Sequence, residues 1–160
     1  IIYNIFKSFG FDNFTIRINN RKILNGLFEE IGQKENATEI LRIIDKIDKI
    51  GKEAVIKELE KINVDSASIE KIISFIEIDG TSDEKIEKLK KLGFKSEIFN
   101  NGVEELEFVI KNMRLFGIPE DNFNVDLTIA RGLDYYTGTV YETFLNDYRE
   151  LRKCMFRWKI

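Results

Sequence analysis

The sequence predicts an α+β fold in which pieces of an antiparallel sheet stand at the two ends of the chain and an all-helical unit lies between them. Strand-like alternation is confined to the ends. Phe14, Ile16 and Ile18 alternate with polar residues near the start, and Phe123, Val125, Leu127 and Ile129 do so near the end, followed by the β-branched and aromatic run Thr139 to Leu145. From about residue 35 to residue 117, short charged amphipathic helices succeed one another, each with its own start and stop signals. No strand–helix–strand alternation runs through the middle, so a helical insertion in a split sheet domain is expected rather than a continuous α/β fold. The expected units are 1–34, 35–120, 121–150 and a tail of different character, 151–160.

The bulk numbers narrow the chemistry. At 160 residues the chain can bury roughly 70% of its unfolded surface without help from disulfides. It has one cysteine, Cys154, and no histidine. An internal disulfide and imidazole-based acid–base catalysis within the chain are therefore excluded, and no zinc site is expected. Net charge is −3, which does not advertise a nucleic-acid binder. With no secretory leader or long apolar span in the sequence, a cytoplasmic address and no membrane partner are expected. The opening Ile1-Ile2-Tyr3-Asn4-Ile5 enters an amphipathic helix directly, with no Met or cap, as an internal piece of a longer protein would.

In chain order, the first helix ends at Gly10 and a strand over 13–19 follows. Asn20 is expected to cap a helix carrying Ile23, Leu24, Leu27 and Phe28, closed by Gly32. Arg17 and Arg21 could contact phosphates; an exposed strand face and a first helical turn are the plainer reading. Asn36 with Glu39 resembles a capping box before a helix through Ile40, Leu41, Ile43, Ile44 and Ile47. Helices from Lys52 to Ile62, from Asp65 or Ser66 to Ile76, and from Thr81, paired with Glu84 in a second capping box, come next. A last helix is expected from Gly102 to Phe116, stopped by Gly117 and Pro119. Acids outnumber bases between residues 31 and 120, and their interleaving with lysines reads as solvated helix faces.

The stretch richest in chemistry is Arg131-Gly132-Leu133-Asp134-Tyr135-Tyr136-Thr137-Gly138. The runs on either side, 123–129 and 139–145, are expected to form a half-buried antiparallel pair, with this stretch at a strand end or in the connection. Arg131 supplies a permanent planar cation suited to a phosphate or carboxylate. Tyr135 and Tyr136 add two flat faces and two hydroxyls. In a regular strand they would point to opposite sides, unless Gly132 and Gly138 bend the backbone. Asp134 could orient Arg131, coordinate a cation or cap a turn.

Extended by Thr139-Val140-Tyr141-Glu142, this stretch resembles the signature segment of histidyl-tRNA synthetases. The resemblance continues upstream through Phe14 to Arg21 and Ile43 to Lys49, and covers residues 1 to 150 in order. It implies a class II aminoacyl-tRNA synthetase catalytic domain, built on an antiparallel sheet and carrying a helical insertion. Residues 1–34 and 121–150 would belong to the catalytic domain and 35–120 to the insertion. It further implies ATP, L-histidine and tRNA(His) as substrates, Mg2+ with ligands outside this chain, and a homodimer. By that resemblance Arg131 would bind the α-phosphate and the histidine carboxylate, and Tyr135 and Tyr136 would line the imidazole pocket. Gly132, Leu133, Asp134 and Gly138 would shape the motif.

The family's motifs 1 and 3, nearly all of motif 2 and its anticodon-binding domain have no counterpart here, so the chain alone is not expected to aminoacylate. The alternatives are the family's regulatory paralogue, which binds an ATP phosphoribosyltransferase, and a decayed interaction module. The unbroken Arg-Gly-Leu-Asp-Tyr-Tyr run favours the synthetase. The family continues toward Gly-Gly-Arg-Tyr-Asp, whereas this tail contains Arg152, Lys153, Cys154, Arg157, Trp158 and Lys159 with no acid. One choice of codons for Arg152 to Ile160, read one base later, gives Gly-Ser-Val-Cys-Ser-Gly-Gly-Arg-Tyr, so a frameshift near residue 151 is expected.

Overall fold

The computed structural model describes residues 1–129 and 137–148. Helix α1 spans Ile2–Ser8, and Gly10 beyond it adopts φ +81°, the left-handed conformation expected of a helix-ending glycine. Strand β1, Phe14–Asn20, buries Phe14, Ile16 and Ile18 on one face. Its last residue, Asn20, turns the chain straight into α2, Arg21–Glu30, with the Asn20 side chain accepting from the backbone N–H of Lys22 at 2.9 Å. Strand and helix are thus joined without a loop, the cap being supplied by the strand itself.

Five helices follow: α3 Ala37–Ile44, α4 Ile47–Ile50, α5 Lys52–Lys61, α6 Ser66–Ile76 and α7 Ser82–Lys91. The Thr81–Glu84 capping box forms in both directions, and Asp65 caps α6 through the N–H of Ser68. Asn36 does not cap α3. Its backbone is already helical, and its amide instead donates to Gln33 Oε1 at 2.9 Å. A cap side chain reaches the N2 or N3 amide from an extended backbone, and a helical Asn36 points elsewhere. The helix read from Ile40 through Ile47 also breaks, with Asp45 and Lys46 forming a turn between α3 and α4.

Helix α8, Glu97–Leu115, begins five residues before the expected Gly102 and is capped by Ser96, whose hydroxyl accepts from Phe99 N and donates to Glu29 Oε2 at 2.8 Å. Gly102 is not a start but a crossing point. A Cβ there would lie 2.8 Å from Ile23 N and 2.9 Å from Ile23 Cγ1, while one on Gly26 would lie 2.5 Å from Phe99 Cβ and 2.6 Å from Phe99 Cα. Each helix therefore presents a glycine to the other's backbone. Around this contact pack Ile23, Leu27, Phe99, Val103 and Leu106, all at most 3% exposed.

One turn of 3-10 helix, Glu120–Asn122, leads into strand β2, Phe123–Val125, and β3 spans Thr139–Leu145. The sheet order is β2-β1-β3. Strand β3 runs antiparallel to β1, from Phe14 opposite Leu145 to Asn20 opposite Thr139. Strand β2 runs parallel to it, with Ile16 opposite Phe123 and Ile18 opposite Val125. The sheet is mixed, and the runs 123–129 and 139–145 do not pair with each other, because β1 lies between them. A parallel neighbour requires a long crossover, which α2 to α8 provide.

Strand β2 is also shorter than its apolar alternation promised. Asp126 Oδ1 accepts from Thr128 N at 3.0 Å and Thr128 Oγ1 at 2.6 Å, a side-chain turn that diverts the backbone while Leu127 and Ile129 stay buried. The α+β class holds. Among the described residues no helix is long and apolar enough to cross a membrane.

Polar bonds reinforce the crossing. Glu105 on α8 accepts from Lys22 Nζ at 2.5 Å and from Asn20 Nδ2 at 2.8 Å, and these two bonds hold its carboxyl below the ordinary value of 4.5.

Two outcomes follow from this packing. Gly26→Ala is expected to cost about 1–3 kcal/mol, seen as a lower urea midpoint with unchanged slope, since the methyl meets backbone rather than a movable side-chain end. An unaltered midpoint would mean that the helices do not cross there. Glu105 binds fewer protons folded than unfolded, so its bonds stabilise the fold above pH 4.5 and are lost as pH falls through the lower folded value. Glu105→Gln should flatten the acid limb of stability against pH; with the side chain 44% exposed the change is small, and an identical limb would refute the linkage.

Candidate functional site

Of the residues singled out from the sequence, Arg131, Gly132, Leu133, Asp134, Tyr135 and Tyr136 lie outside the described residues, as does the tail 151–160. Gly138 is described. Its carbonyl accepts from Arg21 N at 2.9 Å, and among the described residues a Cβ there would meet only Glu105 Oε2, at 4.0 Å. What the structure defines closely is the framework on both sides of the motif.

The entry side is held by β1. Asp126 N donates to Ile18 O at 2.9 Å, continuing the pairing of β1 with the chain just past β2. Beyond it, the fully buried Asn19 side chain takes over, donating through Nδ2 to Leu127 O at 3.3 Å and to Ile129 O at 3.0 Å. Its Oδ1 accepts from Asn20 N at 2.8 Å. All three hydrogen-bonding positions of the side chain that the corner uses are thereby fixed, and the amide can sit only one way round, because a flip would set donor against donor.

The exit side is held by the next two residues. Asn20 faces Thr139 across the sheet, and its Nδ2 lies 3.4 Å from Thr139 Oγ1 as well as binding Glu105. Arg21 N takes the Gly138 carbonyl. Three consecutive residues at the β1–α2 corner, Asn19, Asn20 and Arg21, therefore anchor the chain immediately before and immediately after the motif. Sequence reasoning gave Asn20 a capping role and placed Asn19 at the end of the strand, both within the family-like stretch, without connecting either to the motif. The available signal was a pair of amides at the buried end of an apolar strand, where ordinary strand composition calls for neither.

The sheet separates two environments. Phe14, Ile16 and Ile18 face the helical core, while register puts Arg17 and Asn19 on the other face with Glu142 and Phe144. Arg17 is not a free phosphate ligand. Its Nη1 binds Asp126 Oδ2 at 2.9 Å, Asp48 Oδ2 lies 3.6 Å away, and the guanidinium stacks 4.0 Å above the Phe144 ring. Arg21, expected on an exposed first turn, is 3% exposed. Glu142, likewise buried, sits mid-strand directly opposite Arg17. Asp126 is thus shared: one oxygen serves Arg17, and the other forms the turn that carries Leu127 toward the motif.

The helical stretch reaches the same place. Lys85 of α7 is nearly buried, and Nζ donates to Val125 O at 2.6 Å and Asn124 Oδ1 at 3.2 Å. Burial pushes its ammonium below its ordinary value, opposed by Asp126 and Asp79. Among the described residues no three His, Cys, Asp or Glu side chains come together to hold a metal ion.

Comparison with known proteins fits this framework. Residues 1–151 match the family model described as histidyl-tRNA synthetase. The chain is 53% identical over 151 residues to the histidine–tRNA ligase of Clostridium tetani (strain Massachusetts / E88), a match covering 94% of this chain and 34% of that protein. A crystal structure of histidyl-tRNA synthetase from Nostoc sp. PCC 7120 superposes with a TM-score of 0.90 at 45% identity, over 94% of this chain and 36% of the other. A structure from Bacillus halodurans C, described as an ATP phosphoribosyltransferase regulatory subunit/histidyl-tRNA synthetase, gives 0.74 at 18% identity over 91% of this chain and 37% of the other, which is a likeness of fold. The chain spans about a third of the length of these relatives. Identity at this level over nearly every residue, with the corner and the motif inside the matched region, establishes that the chain belongs to the histidyl-tRNA synthetase family.

Proposed function

We propose that the full-length protein carrying this chain is a class II histidine–tRNA ligase, which activates L-histidine with ATP and transfers it to tRNA(His). The observation that carries the reading is 53% identity to a histidine–tRNA ligase across a match that contains the unbroken Arg131-Gly132-Leu133-Asp134-Tyr135-Tyr136 run. In the first step a histidine carboxylate oxygen attacks the α-phosphorus, the bond from that phosphorus to the oxygen bridging to the β-phosphate breaks, and pyrophosphate leaves. No proton moves at the reacting centre, so the lack of histidine side chains in this chain is no obstacle.

In this reading Arg131 binds the carboxylate and the α-phosphate, where a planar fork of donors meets growing negative charge. Tyr135 and Tyr136 line the imidazole pocket, and pairing buried polar groups with the ring rejects apolar amino acids that would leave them unpaired. Gly132, Leu133, Asp134 and Gly138 shape the segment, and residues 35–120 form a helical insertion into the catalytic domain. Mg2+, a homodimer and a cytoplasmic setting belong to the same proposal, with no metal step assigned to this chain. The 160-residue chain by itself is proposed to be inactive. A structure whose description names the regulatory subunit shares the fold, and the ligase reading is favoured over it by sequence: identity well above 18% and the unbroken Arg-Gly-Leu-Asp-Tyr-Tyr run.

Arg131→Ala in the full-length protein should lower histidine-dependent ATP–pyrophosphate exchange by about a hundredfold or more while the melting temperature stays put. Arg131→Lys should recover little, since a point charge does not replace a fork. Near-normal exchange in the alanine variant would remove Arg131 from the site.

A further inference from the structure

We infer that the groove between α8 and β3 is a docking surface for a segment of the same polypeptide lying outside residues 1–160, whatever reaction the full-length protein performs. That segment lays apolar side chains against Phe108, Val109, Leu115 and Phe116, beside α8 and over β3.

Every wall of the groove is a described residue. Phe108 and Leu115 on α8 and Phe116 at its end are 68%, 74% and 81% exposed, with the half-buried Val109 next to them. Spacings of seven and eight put these residues on one side of the helix, opposite the buried side of Gly102, Leu106, Ile110 and Met113. Asn112 lies among them, and its Nδ2 is used within the helix, donating to Phe108 O at 2.7 Å. Across from α8, register sets Thr139 and Tyr141 on the sheet face shared by Asn20 and Ile18, and both are only half-buried. Glu104, Glu105, Phe108, Val109 and Thr139 line a hollow of about 330 Å³ between the two elements.

Charged neighbours on α8 are held elsewhere. Toward α7, Glu107 pairs with Lys90 at 2.7 Å, and Arg114 grips Asp83 through two bonds of 2.9 Å while also binding Glu120. Toward the β1–α2 corner, Glu105 binds Lys22 and Asn20. An apolar strip remains, bordered by the exposed Glu104 and Lys111. Contiguous exposure of this kind marks an interaction surface.

Size selects the occupant. Phe108, Leu115 and Phe116 together expose roughly 400 Å² of side chain, about half of the ~800 Å² per partner that separate proteins bury in a stable complex. A segment of the same polypeptide loses no translational freedom on docking, so a smaller contact suffices. Chain for the purpose exists in the relatives: the match covers 34% of the Clostridium tetani protein, leaving about two thirds outside it. The layer also needs completing, since α8 lies over β1 and leaves the adjoining face of β3 half-covered.

The test uses the full-length protein and reads no catalysis. Phe108→Glu and Phe116→Glu should each lower the folded-to-unfolded ratio in urea about tenfold or more, because a charge enters a covered apolar contact. The factor should be the same at two protein concentrations about tenfold apart, with the mass by light scattering unchanged. On a solvated face such substitutions change little, so unaltered urea midpoints in both variants would overturn the inference. A fall in mass, or a loss that shrinks as protein concentration rises, would give the strip to a second copy and overturn it as well. Photoreactive benzoylphenylalanine at position 108 keeps the aromatic bulk and serves where the glutamate variants do not fold. Irradiation should yield a species of unchanged mass cross-linked to a peptide outside residues 1–160; a doubled mass, cross-links only within 1–160 or none at all would refute the docking.

Discussion

The close crossing of α2 and α8 is the constraint on which the rest depends. Gly26 and Gly102 let two backbones approach to distances that no side chain would permit, and the approach is mutual, each glycine lying over the other helix. Because the helices meet so closely, Glu105 on α8 can reach both Lys22 and Asn20 at the start of α2. Asn20 is the cap of that helix and the end of the central strand. A packing contact thus fixes the corner to which residues 127, 129, 138 and 139 are bonded.

That corner is polar where burial would ordinarily exclude polarity. Asn19 and Asn20 are both fully buried, and burying an amide is costly unless its hydrogen bonds are made. Asn20 spends its oxygen on the helix cap and its nitrogen on Glu105 and Thr139; Asn19 spends its oxygen on Asn20 N and its nitrogen on two carbonyls. The arrangement is nearly closed. A satisfied buried network is stiff, because displacing any member leaves another unpaired. Stiffness of this kind is the opposite of what a surface turn would provide.

Legibility in the sequence followed the range of the interaction. The Thr81–Glu84 box, the Asn20 cap and the Asp65 cap were readable because a cap is decided within four residues. Asn36 shows the limit of that rule, since the same residue type with a helical backbone bonds sideways to Gln33. The start of α8 was missed because Gly102 looks like a break when its real role depends on Ile23, nearly eighty positions away. Strand pairing failed for the same reason: alternation tells which residues of 123–129 and 139–145 are buried, yet nothing local says that β1 will stand between them. The family was legible through twelve consecutive residues, 131 to 142, whereas the corner residues Asn19, Asn20 and Arg21, which bond to the chain at 127, 129, 138 and 139, lie more than a hundred positions upstream. Resemblance to a known family identified the motif; only coordinates could show what holds it.

The helical stretch is tethered to the sheet on the side that matters for the motif. Asp48 of α4 approaches Arg17, Lys85 of α7 binds the last carbonyl of β2, and Glu105 of α8 binds Asn20. These tethers differ in weight. The Asp48 contact is long and solvated and contributes little, whereas Lys85 is nearly buried and donates at 2.6 Å to a carbonyl that β2 leaves at its end. Val125 O is followed at once by Asp126, whose N–H binds Ile18 and whose side chain makes the turn toward Leu127. A movement of α7 relative to the sheet would therefore pull on Asp126 and on the turn that follows it.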